Sequence, residues 1–246
     1  MTVFAGQVAL VSGAAQGLGR SIATLLARQG ATVYLADLNG PGVEVAAAAL
    51  RSEGLTASGH ACDMADEPAV FRLRDRIASE RGRLDVLINN AGGWRYENIR
   101  EVTLANWDWT FRVNLLSMFI ATRACMDMMI ERRYGRIVNV SSTDGYRPKP
   151  TLPVYAAAKA AVVSLTRTFA EELAPHQVIV NAVAPGAIAT ETAKSQSWLA
   201  QRIPTIPVRR AAEPEDIAEA VLFLASPANR YVVRECVIAN GGALMA

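Results

Sequence analysis

Val8-Ala9-Leu10-Val11-Ser12-Gly13-Ala14-Ala15-Gln16-Gly17-Leu18-Gly19 reads as a buried strand that runs into a glycine-rich turn. Consecutive apolar residues suit a parallel strand covered on both faces. Residues 18–29 then carry apolar side chains at helical spacing. Gly13, Gly17 and Gly19 let the backbone turn sharply and come close to a bound group. The start of the following helix offers free N–H groups and the positive end of a dipole, which suits a pyrophosphate. The spacing is GxxxGxG and departs from the general GxGxxG pattern. Taken alone, it also fits a turn with a purely structural role.

The same alternation continues outward. Segments 32–36, 57–61, 86–88, 137–140, 178–183 and 237–239 read as strands. Segments 43–52, 68–80, 104–132, 154–173 and 214–224 read as helices, the last opened by Pro214, Glu215 and Asp216. Alternating strands and helices imply an α/β fold: a Rossmann-type, doubly wound parallel sheet in three α/β/α layers. With no repeat and no low-complexity linker, residues 1–246 form one dinucleotide-binding and catalytic domain. Residues 187–212, polar and containing Pro204 and Pro207, interrupt the pattern and are expected to form an irregular substrate lid.

Composition narrows the function. A formal net charge of +2, with basic and acidic residues interspersed, gives no case for nucleic acid or a membrane surface as partner. Cys62, Cys125 and Cys236 are widely spaced and odd in number, so a disulfide framework is not expected, and no metal-ligand spacing is visible. No apolar run reaches the roughly 18 residues of a spanning helix. The N-terminus lacks a basic stretch followed by an apolar run, so a cytoplasmic location is expected.

Asp37 closes the second strand about 20 residues beyond the glycine turn, where an acid is expected to hold the adenosine ribose. Its carboxylate accepts from a 2′-hydroxyl and repels a 2′-phosphate. Gln16 and Leu38 supply no cation to offset that repulsion, so NAD is favoured over NADP. Asp63, followed by Met64, could touch adenine or could cap the next helix.

Tyr155 and Lys159 lie four residues apart on a predicted helix, hence on one face. A free phenol, with a pKa near 10, is a poor base at neutral pH, and a nearby ammonium lowers that value. The pair therefore suits proton transfer.

These residues, with Asn89-Asn90-Ala91-Gly92, Asn114, Ser141-Ser142, Pro185-Gly186 and Asn240-Gly241-Gly242, stand in an order and at spacings that resemble the short-chain dehydrogenase/reductase family from Gln7 to about Gly242. The resemblance implies that Tyr155 is the general acid/base and that Ser142, thirteen residues before it, holds and polarises the substrate oxygen. Ser141 is expected to face the sheet. Lys159 is implied to orient the cofactor and depress the tyrosine pKa. Asn114 is implied to bend its long helix locally and hold a water. Asn90, Ala91 and Gly92 are implied to line the adenine and ribose side, and Pro185, Gly186, Ile188 and Thr190 to flank the nicotinamide. A small-molecule secondary alcohol (a sugar, hydroxy acid or cyclic diol) would exchange its hydride with NAD. The alternative is an NADPH-dependent 3-oxoacyl or carbonyl reductase. Family members are usually homotetramers, less often dimers.

One departure concerns the turn before the last strand, where Arg234 stands near the expected position of a small glycine. For the substrate pocket, position suggests Trp94, Arg95, Tyr146, Arg147 and Trp198, with Gly93, Tyr96, Asp144, Lys149 and Arg202 nearby. Their positive charges could converge on a carboxylate or sulfonate, or could be solvated loop charges. Trp94 and Trp198 could pack on a ring or serve ordinary packing.

Overall fold

The computed structural model describes residues 2–245. Its strands are β1 (Val8–Ser12), β2 (Thr32–Asp37), β3 (Ala57–Ala61), β4 (Val86–Asn89), β5 (Gly135–Val140), β6 (Val178–Pro185) and β7 (Cys236–Ala239). All pair in parallel in the order β3-β2-β1-β4-β5-β6-β7. Every residue of β1, β4, β5 and β6 is buried, which explains their mostly apolar sequences.

Alternation along β1 sends side chains to two cores. Ala9 and Val11 join Ile22 and Leu26 of α1 (Gly17–Arg28), Leu50 of α2 (Gly40–Ser52) and Val221 of α9 (Pro214–Ala225). Val8 and Leu10 join Ile77 of α3 (Glu67–Arg81), Met129 of α5 (Ser117–Glu131) and Leu173 of α6 (Pro153–Leu173) on the other face. Each such fully buried aliphatic side chain contributes on the order of 1.5–3 kcal/mol. Both layers are needed, so the three-layer architecture follows from the pattern of burial. The strand order reverses between β1 and β4, and that is where a parallel sheet opens a crevice at its carboxyl edge.

Three details depart from the sequence expectations. Helix α2 starts earlier than expected, because Asn39 Oδ1 accepts from Gly42 N and Pro41 sits in the first turn, where its missing N–H costs nothing. The long helix 104–132 is α4 (Leu104–Phe111) and α5 joined by a π-turn at Arg112–Leu116, which carries Asn114. By length and apolarity the helical stretch Leu104–Glu131 also satisfies a spanning criterion, contrary to the expectation, but half of its most apolar window is packed inside the fold. Third, residues 187–212 are not irregular. They contain α7 (Glu191–Lys194), α8 (Ser197–Arg202) and a 3₁₀ turn at Ile203–Thr205, packed on a small cluster of Ala189, Ala193, Leu199 and Ala211.

Candidate active site

The glycine turn is built for close approach. Gly13 and Gly17 adopt φ of 64° and 54°. A Cβ on Gly19 would lie 2.1 Å from the Gly13 carbonyl oxygen, so only glycine fits. Asn90 Nδ2 donates to the carbonyls of Ser12 and Gly13 at 3.0 and 3.1 Å and ties the turn to the loop after β4. Ser12 Oγ accepts from the backbone N–H groups of Asn90 and Ala91. Ser12 escaped the sequence reading; a hydroxyl closing an otherwise apolar strand was the only signal. Gln16, at the N-cap of α1, makes no side-chain bond to the helix's first N–H groups. Those donors are left for a ligand, and a cradle that a Cβ would fill fits a pyrophosphate.

Asp37 ends β2 beside this turn. Its Oδ2 accepts from Ala15 N at 3.0 Å and its Oδ1 from Asn39 N at 2.9 Å. Leu38 is exposed and Met64 is buried in the core. Asp63 is committed elsewhere: it accepts from Ala65 N and pairs with Arg112 at 2.9 Å, and the N-cap of α3 is Asp66. The helix-capping reading of Asp63 is thereby corrected; it closes a turn one step upstream.

A cleft of about 380 Å³ runs from Gly13, Gln16, Gly17, Leu18 and Gly19 past Asn90 and Gly92 to Asn114, Ser142, Tyr155 and Lys159. Pro185, Gly186, Ile188 and Thr190 form part of its wall. The Thr190 hydroxyl accepts from Ala193 N and starts α7, while its methyl would lie 3.3 Å from a Cβ on Gly17. The segment after β6 is thus seated directly against the glycine turn.

The catalytic set converges from three elements: the π-turn, the loop after β5 and α6. The π-turn points Asn114 inward, where its Nδ2 donates to the carbonyls of Gly93 (2.7 Å) and Thr110 (2.9 Å). A π-turn widens the helical ladder and is often found at functional sites. Gly92 must be small here, since a Cβ would meet Asn114 Oδ1 at 2.6 Å. Lys159 is buried and donates its Nζ to the Val140 carbonyl at 2.9 Å, and lies 5.7 Å from the Tyr155 ring centroid. Burial alone lowers its pKa to about 8. Ser141, expected to face the sheet, instead donates its Oγ to the Lys159 carbonyl of α6, while Ser142 Oγ accepts from Asp144 N; both residues line the cleft.

The Tyr155 phenol departs from expectation. Burial pushes its pKa well above the ordinary value; the neighbouring Ser142 hydroxyl pulls it down and the Asp144 carboxylate adds to the rise. The expected lowering by Lys159 is not what dominates, because the ammonium is aimed at the Val140 carbonyl and desolvation outweighs it.

The proposed substrate residues divide. Trp94 lines the cleft, its ring 6.0 Å from that of Tyr155 in an edge arrangement, and Trp198 lines it too, with Nε1 donating to Gln196. Arg147 reaches the wall but is bonded twice to Asp144 Oδ1. Arg95 is not in the wall: its guanidinium stacks 4.0 Å from the Trp109 ring centroid. Tyr146 also lies outside; burial, reinforced by the neighbouring Cys236, pushes its phenol pKa up. Closeness in sequence to the catalytic residues does not bring either side chain into the wall, because the loops turn them elsewhere.

A Rossmann-type sheet, a pyrophosphate cradle and a Ser–Tyr–Lys–Asn cluster in one cleft are the features of a nucleotide-dependent oxidoreductase. Residues 7–199 match the family described as short chain dehydrogenase. The chain is 35% identical to the 3-oxoacyl-[acyl-carrier-protein] reductase FabG of Aquifex aeolicus, covering 96% of this chain and 97% of that protein. It is 39% identical to the cyclopentanol dehydrogenase of Comamonas testosteroni, covering 96% of each. A crystal structure of a short-chain type dehydrogenase/reductase from Mycobacterium marinum superposes with a TM-score of 0.94 at 30% identity, over 99% of this chain and 97% of that one. The chain belongs to the short-chain dehydrogenase family and is an oxidoreductase acting on CH–OH groups.

Proposed function

We propose that the protein is an NAD-linked dehydrogenase of a small secondary alcohol. The observation that carries this reading is the position of Asp37, at the carboxyl edge of β2 with its carboxylate bonded to the glycine turn. A negative charge there accepts from a ribose hydroxyl and opposes a 2′-phosphate. Two cations of neighbouring elements are paired with carboxylates: Arg20 of α1 with Glu191, and Arg112 of the π-turn with Asp63. A bound nicotinamide supplies the hydride acceptor or donor.

The chain's own residues do the rest. The first N–H groups of α1 and the glycine turn hold the pyrophosphate, and Lys159 holds the neighbouring ribose. Ser142 donates a hydrogen bond to the substrate oxygen. Tyr155 takes the hydroxyl proton in oxidation and returns it in reduction, a role contributing roughly 10²–10⁴-fold. Residues 187–212 act as a lid, excluding water once both ligands are in place.

Initial rates with NAD and NADP across cyclic and acyclic secondary alcohols test the reading. NAD is expected to give a kcat/KM at least about ten-fold higher, a gap of one binding step of about 1.4 kcal/mol. Asp37→Ala is expected to narrow that gap. A preference for NADPH would overturn it in favour of 3-oxoacyl or carbonyl reduction, the activity that the Aquifex relative's name carries.

A further inference from the structure

The charges in the wall of the cleft do not cancel. Six charged side chains line it: Asp144, Arg147, Lys149, Lys159, Glu191 and Arg202. Asp144 is neutralised by Arg147, 2.7 Å away, and Glu191 by Arg20 at the same distance. Lys159 gives its ammonium to the Val140 carbonyl. Lys149 and Arg202 remain, both partly buried, and neither has a carboxylate partner or a side-chain hydrogen bond among the described residues. They come from different elements: Lys149 from the loop that leads into α6, and Arg202 from the end of α8. The same cleft wall also carries apolar and aromatic side chains, among them Trp94, Trp198, Leu152 and Leu244.

A guanidinium is suited to a bidentate contact with a carboxylate or sulfonate, and an ammonium adds a compact point charge. We infer that Lys149 and Arg202 form an anion subsite and that the substrate is an alcohol carrying a carboxylate or sulfonate on a compact apolar body. The inference rests on the dehydrogenase reading and names the substrate class for that cleft. The anion bridges the fixed wall and the lid, so its arrival draws Arg202 down and orders residues 187–212 over Tyr155. Arg95 and Arg147, the cations nearest the catalytic residues in sequence, are excluded by their existing partners, Trp109 and Asp144.

The test is a binding measurement on the whole protein. Benzoate and benzamide have the same shape and differ in charge, and quenching of Trp94 and Trp198 fluorescence reports their entry. Benzoate is expected to bind at least about ten-fold more tightly than benzamide. In the double variant Lys149→Gln/Arg202→Gln the two affinities are expected to converge, with the melting temperature reported alongside to show the variant is folded. Equal affinities in the unaltered protein, or a benzoate preference that persists in the double variant, would overturn the subsite. NADH formation from neutral cyclopentanol is scored separately: its presence with no benzoate preference sinks the subsite alone, and its absence from neutral and carboxylated alcohols alike sinks the dehydrogenase reading.

Discussion

Lys159 gives its ammonium to a backbone carbonyl, that of Val140 at 2.9 Å, and has no carboxylate partner among the described residues. Burial consequently holds it at about 8 instead of the 10.5 of free lysine. The charged form is thus less favourable in the folded chain than in the unfolded one, by on the order of 3 kcal/mol at neutral pH. Lys159→Met removes that penalty but leaves the Val140 acceptor unmatched, which costs about 1–3 kcal/mol. At pH 7 the variant is expected to be inactive yet at least as stable as the parent in urea. The folded pKa is depressed, so the parent's penalty fades as pH rises from about 8 to 10.5. The stability difference should therefore move toward the parent across that window and favour the parent at its top, and a constant difference would contradict the assignment.

The Ser142 hydroxyl is the influence that lowers the Tyr155 pKa against the effect of burial. Ser142→Ala is therefore expected to move the rising limb of the pH–rate profile for alcohol oxidation to higher pH, besides lowering the rate. Tyr155→Phe removes the transferable proton and is expected to reduce kcat by about 10²–10⁴-fold or more, with nucleotide affinity retained. A pH profile of Ser142→Ala superimposable on the parent's would separate Ser142 from the phenol.

At Gly19, a methyl group would stand 2.1 Å from the Gly13 carbonyl oxygen. No side-chain rotation relieves a backbone contact of that kind, so the turn must shift. Gly19→Ala is expected to raise the Kd for the dinucleotide at least about ten-fold, by displacing the N–H groups that face it. Fluorescence of bound NADH measures this, with the melting temperature as a control for folding.

Strand runs, the glycine turn and the Tyr155–Lys159 spacing were legible because each is local: period, turn chemistry and one helical turn express themselves within a few residues. The π-turn was foreshadowed only through the role implied for Asn114, since apolar spacing across 104–132 is continuous. Ser12 and Val140 were illegible as site residues, one acting through a hydroxyl at a strand end and the other through a carbonyl that any residue would supply. Arg95 and Tyr146 were misplaced because the direction of a loop side chain depends on its partners, Trp109 and Cys236, which are distant in sequence. The short helices of 187–212 lack an apolar period long enough to register, and their hydrophobic residues pack mostly on one another.

Arg234 occupies a backbone conformation that suits glycine, with φ of 68°, while its N–H donates to the Val180 carbonyl and fixes the entry to β7. Arg234 is held in a conformation costing roughly 1–2 kcal/mol for a residue with a Cβ. Against this, its guanidinium pairs with Glu171 at 2.6 Å, but both side chains are largely exposed and such a pair is worth about 0–1 kcal/mol. Glycine also gains freedom in the unfolded chain, about 0.4–1 kcal/mol in the opposite direction. The backbone contribution is the largest of the three, so Arg234→Gly is expected to stabilise the fold by up to about 1 kcal/mol. Arg234→Ala separates the contributions: it loses the ion pair and keeps the strain, and so should be no more stable than the parent. Urea unfolding of the three proteins decides it, and a destabilised Arg234→Gly would mean that the Glu171 pair outweighs the strain.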